Sequence, residues 1–371
     1  MAQNAFEPDQ LSPIDAYAAA LRWYRGFQEF LIDNTGDYGP FAKMLGGSDA
    51  LALDVDAMLR VHDKAMQLLH GSLNMQLRAL FIGAVDRYAA QKVSPTAYRT
   101  AADDTVRMLD ERGFVQLSSV EPHRIESLLD WFNANGLIPP ETITNNPQSA
   151  EPEPADVLRL NGNIGQVPRQ TLLRAPGLIS LATDPDAFAV ARGHLGAPPI
   201  LIDVSAWRSF AGEDGAKEAK SAQHFHFDQD DYRFCKMFVY LTDVDEDGGP
   251  HIFVPTTHRP ETIAAHRPPE GSQDRAAFDD WYYRTLRKSE RDVSRWLGIE
   301  PVAITGTAGS RFIVNTEGIH RGAPPVTHDR WVLQCVYGVT PYTFWKGPYN
   351  APHADGLDPA AAYAAQLLFA G

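Results

Sequence analysis

Apolar positions in the first hundred residues recur three and four apart. Tyr17, Leu21, Tyr24, Phe27, Phe30 and Leu31 predict a helix over 13–33, opened by Ser12-Pro13 with Asp15 in the first turn. Leu51, Leu53, Met58, Leu59, Val61, Met66, Leu68, Leu69, Leu77, Leu80, Phe81 and Val85 predict one or two more helices over 50–92. Residues 1–100 therefore read as a helical extension that either packs on the rest of the chain or makes a homo-oligomer of it. A short helix from 103 runs into a strand at Gly113–Leu117, a second helix covers 123–135, and a Pro- and Asn-rich loop covers 139–154. A helix over 184–195 ends near Gly196. From Ile200 the period changes to two, with strands expected at about 200–209, 223–229, 235–242, 251–254, 301–304, 311–315 and 330–340. The aromatic-rich stretch 273–298 reads as a helical insertion between strands. Many short strands joined by Gly, Pro and Asp turns predict a sandwich or jelly roll rather than a doubly wound sheet. The expected chain is thus mainly β with helical additions: extension 1–100, jelly-roll domain 101–350, C-terminal tail 351–371.

Composition narrows the function more than the fold. The chain has 371 residues, is 44% hydrophobic and 22% charged, and carries a formal charge of −14. That balance argues against non-specific nucleic-acid binding and against docking on anionic lipid. It tilts weakly towards a polar or cationic small-molecule substrate. Cys235 and Cys335 are the two cysteines; they make no disulfide framework and read as buried thiols in a reducing compartment. The N-terminus has neither a basic start nor an apolar stretch, and no apolar run approaches the roughly 20 residues that span a bilayer. A cytoplasmic protein is expected.

The chemistry concentrates in 221–258 and 312–338. His226 and Asp228 are two apart, so on a strand both leave the same face. His320 ends the apolar run that begins at Phe312, and Arg330 opens an alternating strand beyond the turn Ala323-Pro-Pro-Val326. Two histidines and one carboxylate form the facial set of non-heme Fe(II) oxygenases, leaving three coordination positions open. A planar guanidinium suits the carboxylate of a 2-oxo acid through two parallel hydrogen bonds. His224 offers a second register, His224-x-His226-x-Asp228, but three ligands on one straight strand do not easily surround an ion. Asp243-Val-Asp245-Glu-Asp247-Gly248 opens like a calcium loop, yet its twelfth position is Val254 where a bidentate Glu is needed. His62 and His70, which could share a helix face, read as packing or surface residues, and His251 and His328 read as surface residues.

Gln223-x-x-His226-x-Asp228, Lys236-x-Phe238-x-Tyr240-Leu-Thr-Asp-Val244, Gly249-Pro250 through Val254-Pro255-x-x-His258-Arg259, and His320 followed by Arg330 together resemble the phytanoyl-CoA dioxygenase family, over about 105–345. Thr256-Thr257 stands where the family often has Gly-Ser. The resemblance implies a double-stranded β-helix core and an Fe(II)- and 2-oxoglutarate-dependent oxygenase. It implies His226, Asp228 and His320 as iron ligands and Arg330 on the distal carboxylate of 2-oxoglutarate. Dioxygen would be consumed and succinate and CO2 released. A related halogenating group has a small residue where this chain has Asp228, so hydroxylation or another oxidation is favoured. Lys236, Phe238 and Tyr240 share one strand face, and Lys236, Tyr240 and Gln223 are candidates for touching the co-substrate. The alternative for Lys236 is an ion pair with a nearby acid. Trp207 is expected near the site, and His258 either behind the metal or in a structural turn. Two other readings stay open: a jelly-roll binding protein with a vestigial site, and a cupin-type metal enzyme that uses no 2-oxo acid.

Overall fold

The fold is described from a computed structural model over residues 93–139, 152–161, 164–212, 223–231, 233–339 and 357–369, with Ile82, Asp86, Ala89 and Ala90 ahead of them. The expected helix over 13–33 and most of that over 50–92, with His62 and His70, lie outside the described residues, as does most of the 139–154 loop; Ile82, Asp86, Ala89 and Ala90 are helical.

Among the described residues, nine strands make two antiparallel sheets. They are β1 (Phe114–Leu117), β2 (Ile164–Gln166), β3 (Ile200–Ser209), β4 (Phe234–Tyr240), β5 (His251–Phe253), β6 (Val302–Ile304), β7 (Arg311–Val314), β8 (His320–Gly322) and β9 (Arg330–Gly338). The large sheet has the order β1-β7-β4-β9-β3-β2 and the small one β6-β5-β8. Every residue of β4 is buried, as expected of a central strand covered on both sides. Its period of two sorts the side chains. Cys235, Met237 and Val239 join the main core with Leu333, Cys335 and Tyr337 of β9 and with Phe132, Phe188 and Leu368 from helices. Phe238 and Tyr240 face the other way, packing with Phe253 and Ile304 of the small sheet. The two sheets therefore meet face to face, and the site lies on that inner side.

Helices close the outer face of the large sheet. Phe132, from helix Pro122–Asn135, stacks on Trp331, and Phe188, from helix Pro185–Leu195, meets Tyr337 edge-on. The second of these helices starts and stops where its flanking residues dictate. Asp184 accepts from the N–H groups of Asp186 and Ala187, and Gly196, at φ 76°, closes the end. Both cysteines are buried and free, and burial pushes their thiols up, which leaves them inert packing groups.

Three expectations need correction. Residues 223–229 are not a strand; Phe225 and His226 make only isolated bridges, to Lys288 and His320. Residues 351–371 are not merely a tail, since helix Pro359–Phe369 packs against β3. The aromatic-rich insertion is broader than 273–298: helices Pro260–His266, Gln273–Asp279 and Glu290–Leu297 all fall between β5 and β6, with a π-helical turn at Asp280–Arg284. Among the described residues, no helix is long and apolar enough to cross a membrane.

Candidate metal centre

His226 and His320 are brought together by backbone bonds rather than by a long strand. His226 N–H donates to the His320 carbonyl at 2.9 Å, and His320 N–H donates to the His226 carbonyl at 2.8 Å. Residues that exchange both bonds stand directly opposite each other, with side chains on one face. The two imidazole centroids are accordingly 4.4 Å apart. Asp228, fixed by its own N–H on the Thr316 carbonyl at 2.8 Å, returns to the same side. Its Oδ1 lies 3.5 Å from His226 Nε2 and its Oδ2 3.3 Å from His320 Nε2. One ligand atom from each residue falls within 4.8 Å of the other two, the one such cluster among the described residues.

The outer ring nitrogens decide whether this trio suits a metal. His226 Nδ1 is 2.8 Å from the His224 carbonyl, and His320 Nδ1 is 2.9 Å from the Gly318 carbonyl. A carbonyl only accepts, so both Nδ1 atoms carry a proton, and in each ring Nε2 is left as the nitrogen that faces the cluster. Burial, and next His320, push His226 down to about 3, so it stays neutral at physiological pH. Burial alone would raise the Asp228 carboxyl; the Lys236 ammonium, then His320 and His226, overturn this and hold it well below the usual range. Two imidazoles presenting Nε2 and a carboxylate are the donor set of a divalent transition metal. His224 serves through its carbonyl; its side chain is exposed and lies outside the cluster. Gly318 is required by space, because a Cβ there would sit 2.6 Å from the Phe253 ring.

Lys236 supports the carboxylate. Its Nζ donates to Asp228 Oδ2 at 2.7 Å and lies 2.7 Å from Asp230 Oδ2. Burial would lower its pKa, and these two carboxylates raise it instead. The ammonium thus fixes the angle at which Asp228 is offered. Lys236→Met is expected to weaken Ni(II) or Fe(II) binding by roughly 10–100-fold, the usual cost of losing a group that orients a metal ligand. Anaerobic titration calorimetry checks it, and unchanged affinity would refute this role.

Arg330, the first residue of β9, stands opposite Ser209 in β3. Its Nη2 donates to Ser209 Oγ at 3.0 Å and its Nη1 to the Ala323 carbonyl at 3.3 Å, while Nε is buried without a hydrogen-bond partner. Among the described residues, no carboxylate lies within ion-pair distance of it, and burial lowers its pKa. Gly322 lies alongside it, since a Cβ there would be in ordinary contact with Nη2 at 3.4 Å. A buried guanidinium paired only with neutral oxygens is a seat for an anion.

The remaining candidates divide. The Tyr240 hydroxyl donates to the Ile304 carbonyl at 2.6 Å and accepts from the His251 N–H at 2.9 Å, so it ties the large sheet to the small one. Gln223 is buried just ahead of Phe225 and His226, and Trp207 is half-buried against the inter-sheet cluster. His258 Nε2 lies 2.9 Å from the Asp110 carbonyl, to which it donates, on the far side of Phe253. His328, part-exposed, holds the Asp243 carbonyl at 2.9 Å.

His251 is the residue misread from sequence. It is not at the surface but buried, its ring stacked on His320 at 5.3 Å and 14°, and tilted over Phe238 at 4.8 Å. The signal available was its alternation with Phe253, which puts both on the inner face of β5. Lys288 was also missed. Its backbone N–H meets the Phe225 carbonyl at 2.7 Å, and its ammonium lies over the Phe227, Trp281 and Tyr282 rings. Burial, helped by Arg287, lowers it to about 8.

No protein-family model matches this chain, and no curated protein matches it. Several solved structures are similar in backbone. One is HygX from Streptomyces hygroscopicus with nickel and 2-oxoglutarate bound, at TM-score 0.45 and 16% identity, covering 67% of this chain and 91% of that one. The non-heme alpha ketoglutarate dependent carbocyclase SnoK from nogalamycin biosynthesis follows at 0.40 and 18%, covering 65% and 86%. EctD from S. alaskensis with bound Fe gives 0.41 and 16%, covering 64% and 76%. All these scores are below 0.5, so the chemistry of the site rests on this chain's own residues.

Proposed function

We propose that this chain is an Fe(II)- and 2-oxoglutarate-dependent oxygenase with a jelly-roll core, of the kind the phytanoyl-CoA dioxygenase resemblance implies. Its substrate is a polar small molecule that it hydroxylates or otherwise oxidises, and succinate and CO2 are the co-products. One observation carries the reading. A two-His, one-Asp facial set with both Nε2 atoms directed inward lies on the same inner side of the sheets as a buried guanidinium that has no acidic partner among the described residues.

Each residue then has a task. His226, Asp228 and His320 would hold the iron, and Lys236 would set the angle of Asp228. Arg330, steadied by Ser209 and the Ala323 carbonyl, would bind the far carboxylate of 2-oxoglutarate and so fix how far its 2-oxo end reaches. Iron bound there with 2-oxoglutarate and dioxygen supplies oxidative decarboxylation coupled to oxidation of a substrate C–H bond. Arg287 and Lys288 add positive charge near Asp228 and Phe227. A substrate with an acidic or hydroxyl-rich face therefore suits the site better than the cationic one suggested by the net charge.

The test is direct. Protein loaded anaerobically with Fe(II) is expected to develop a metal-to-ligand charge-transfer absorption when 2-oxoglutarate is added. On admitting oxygen it should form succinate, faster with a true substrate from a panel of polar metabolites. A protein that binds Fe(II) but neither binds nor consumes 2-oxoglutarate would be a cupin-type enzyme instead, and one that binds neither would be a binding module.

A further inference from the structure

The Tyr240 hydroxyl, the natural first candidate for a second polar contact to the oxo acid, is already engaged at both its donor and acceptor positions. His251 is differently placed. Its position follows from register: in the small sheet it pairs with Gly322 of β8, while Phe253 pairs with His320. Directly opposed residues put their side chains on one face. A Cβ at Gly322 would be 3.4 Å from Arg330 Nη2, so the His251 ring emerges beside the guanidinium. The same ring lies nearly parallel to that of His320 at 5.3 Å. His251 thus spans the interval between a metal ligand and the anion seat, the path that a 2-oxo dicarboxylic acid would take between them. Its backbone N–H is held by the Tyr240 hydroxyl and its ring is wedged against Phe238 and Phe312. Its Nε2 is buried and has no hydrogen-bond partner. Buried polar atoms are seldom left so, and a bound ligand is one way to complete them.

We propose that His251 Nε2 is a binding contact for the oxo acid, donating a hydrogen bond to one of its carboxylate oxygens and helping to select a five-carbon dicarboxylate. This rests on the functional reading above and adds a residue to it. The substitution His251→Phe would retain the stacking on His320 and lose only the nitrogens; His251→Gln would retain a polar donor and lose the ring.

The experiment compares wild type, His251→Phe, His251→Gln and Arg330→Ala, all loaded with Ni(II) and titrated calorimetrically with 2-oxoglutarate. Ni(II) affinity is measured separately, and thermal melting confirms folding. His251→Phe is expected to weaken 2-oxoglutarate about 10-fold, the loss of one hydrogen bond to a charged group, with Ni(II) affinity unchanged. His251→Gln should recover part of that loss. Should His251→Phe bind 2-oxoglutarate as wild type does, or lose it only in proportion to Ni(II), His251 is a packing residue and the inference fails. Should His251→Phe not fold, His251→Gln decides, wild-type affinity for the shorter oxaloacetate and for 2-oxoglutarate alike counting against a role in selection. If wild type itself fails to bind 2-oxoglutarate, or Arg330→Ala binds it normally, the functional reading falls instead.

Discussion

Arg330→Met is expected to abolish useful 2-oxoglutarate binding and, at the same time, to raise the melting temperature of the ligand-free protein. The two effects have one cause. The guanidinium is buried, its Nε has no hydrogen-bond partner, and its other contacts are a hydroxyl and a carbonyl. A buried charge without a counter-charge costs stability, and an apolar side chain of similar length removes that cost. A gain on the order of 1 kcal/mol or more in unfolding free energy fits the usual effect of such replacements. Binding moves the other way, because removal of a bidentate, charge-assisted partner typically costs about 2–5 kcal/mol, so the KM for 2-oxoglutarate should rise roughly 30-fold or more. Thermal melting with and without 2-oxoglutarate reads both effects: wild type should be stabilised by the oxo acid and the variant should not. An Arg330→Met protein that melts lower and still responds to 2-oxoglutarate would show that the arginine is structural.

Asp228→Ala should remove metal binding and 2-oxoglutarate consumption together while the fold survives. Asp228 contributes the one anionic ligand of the set, and both its oxygens face imidazole nitrogens. Its loss leaves two imidazoles and no anionic ligand, and affinity for Fe(II) should fall by at least ~10²-fold, beyond what loss of an orienting neighbour costs. Lys236 is not stranded, since Asp230 remains 2.7 Å from its ammonium. The expected outcome is a melting curve near that of the metal-free wild type, no metal-induced stabilisation, and no succinate. Wild-type Ni(II) affinity in this variant would remove Asp228 from the ligand set.

How much of the fold and site is legible in the sequence depends on which signal each element carries. The strands at 200–209, 311–314 and 330–338 are legible because runs rich in β-branched and aromatic residues sit between Pro or Gly boundaries. The helix over Pro185–Leu195 is legible through Asp184 and Gly196. The short helices Ala155–Asn161, Arg169–Leu173 and Leu178–Ala182 are not, since segments of five to seven residues show too little period. At 223–229 the alternation is real but belongs to two isolated bridges, whose partners Lys288 and His320 lie far along the chain. The positions of His226, Asp228, His320 and Arg330 are legible as residue types in spacing, but the Nδ1 acceptors are not. Those are the backbone carbonyls of His224 and Gly318, which no side-chain pattern reports. His251 is lost because a lone histidine beside Gly-Gly-Pro looks like a turn residue, and only the pairing with Gly322 turns it inward.

The small sheet has a consequence for how such a protein can change. β5 pairs with β6 on one side and β8 on the other, so the whole excursion 254–301 leaves the ladder and re-enters it beside its own point of departure. That excursion carries Phe278, Trp281, Tyr282 and Lys288, which pack with Phe225 and Phe227 around the ligand histidine. Most of it can be lengthened, shortened or exchanged without touching the pairing of β5 with β8, provided that the bonds of Val254 N–H to the Ile319 carbonyl and of Lys288 N–H to the Phe225 carbonyl are kept. For the oxygenase proposed above, the range of accepted substrates can therefore change by grafting within that excursion while those anchoring bonds keep His226 and His320 in place.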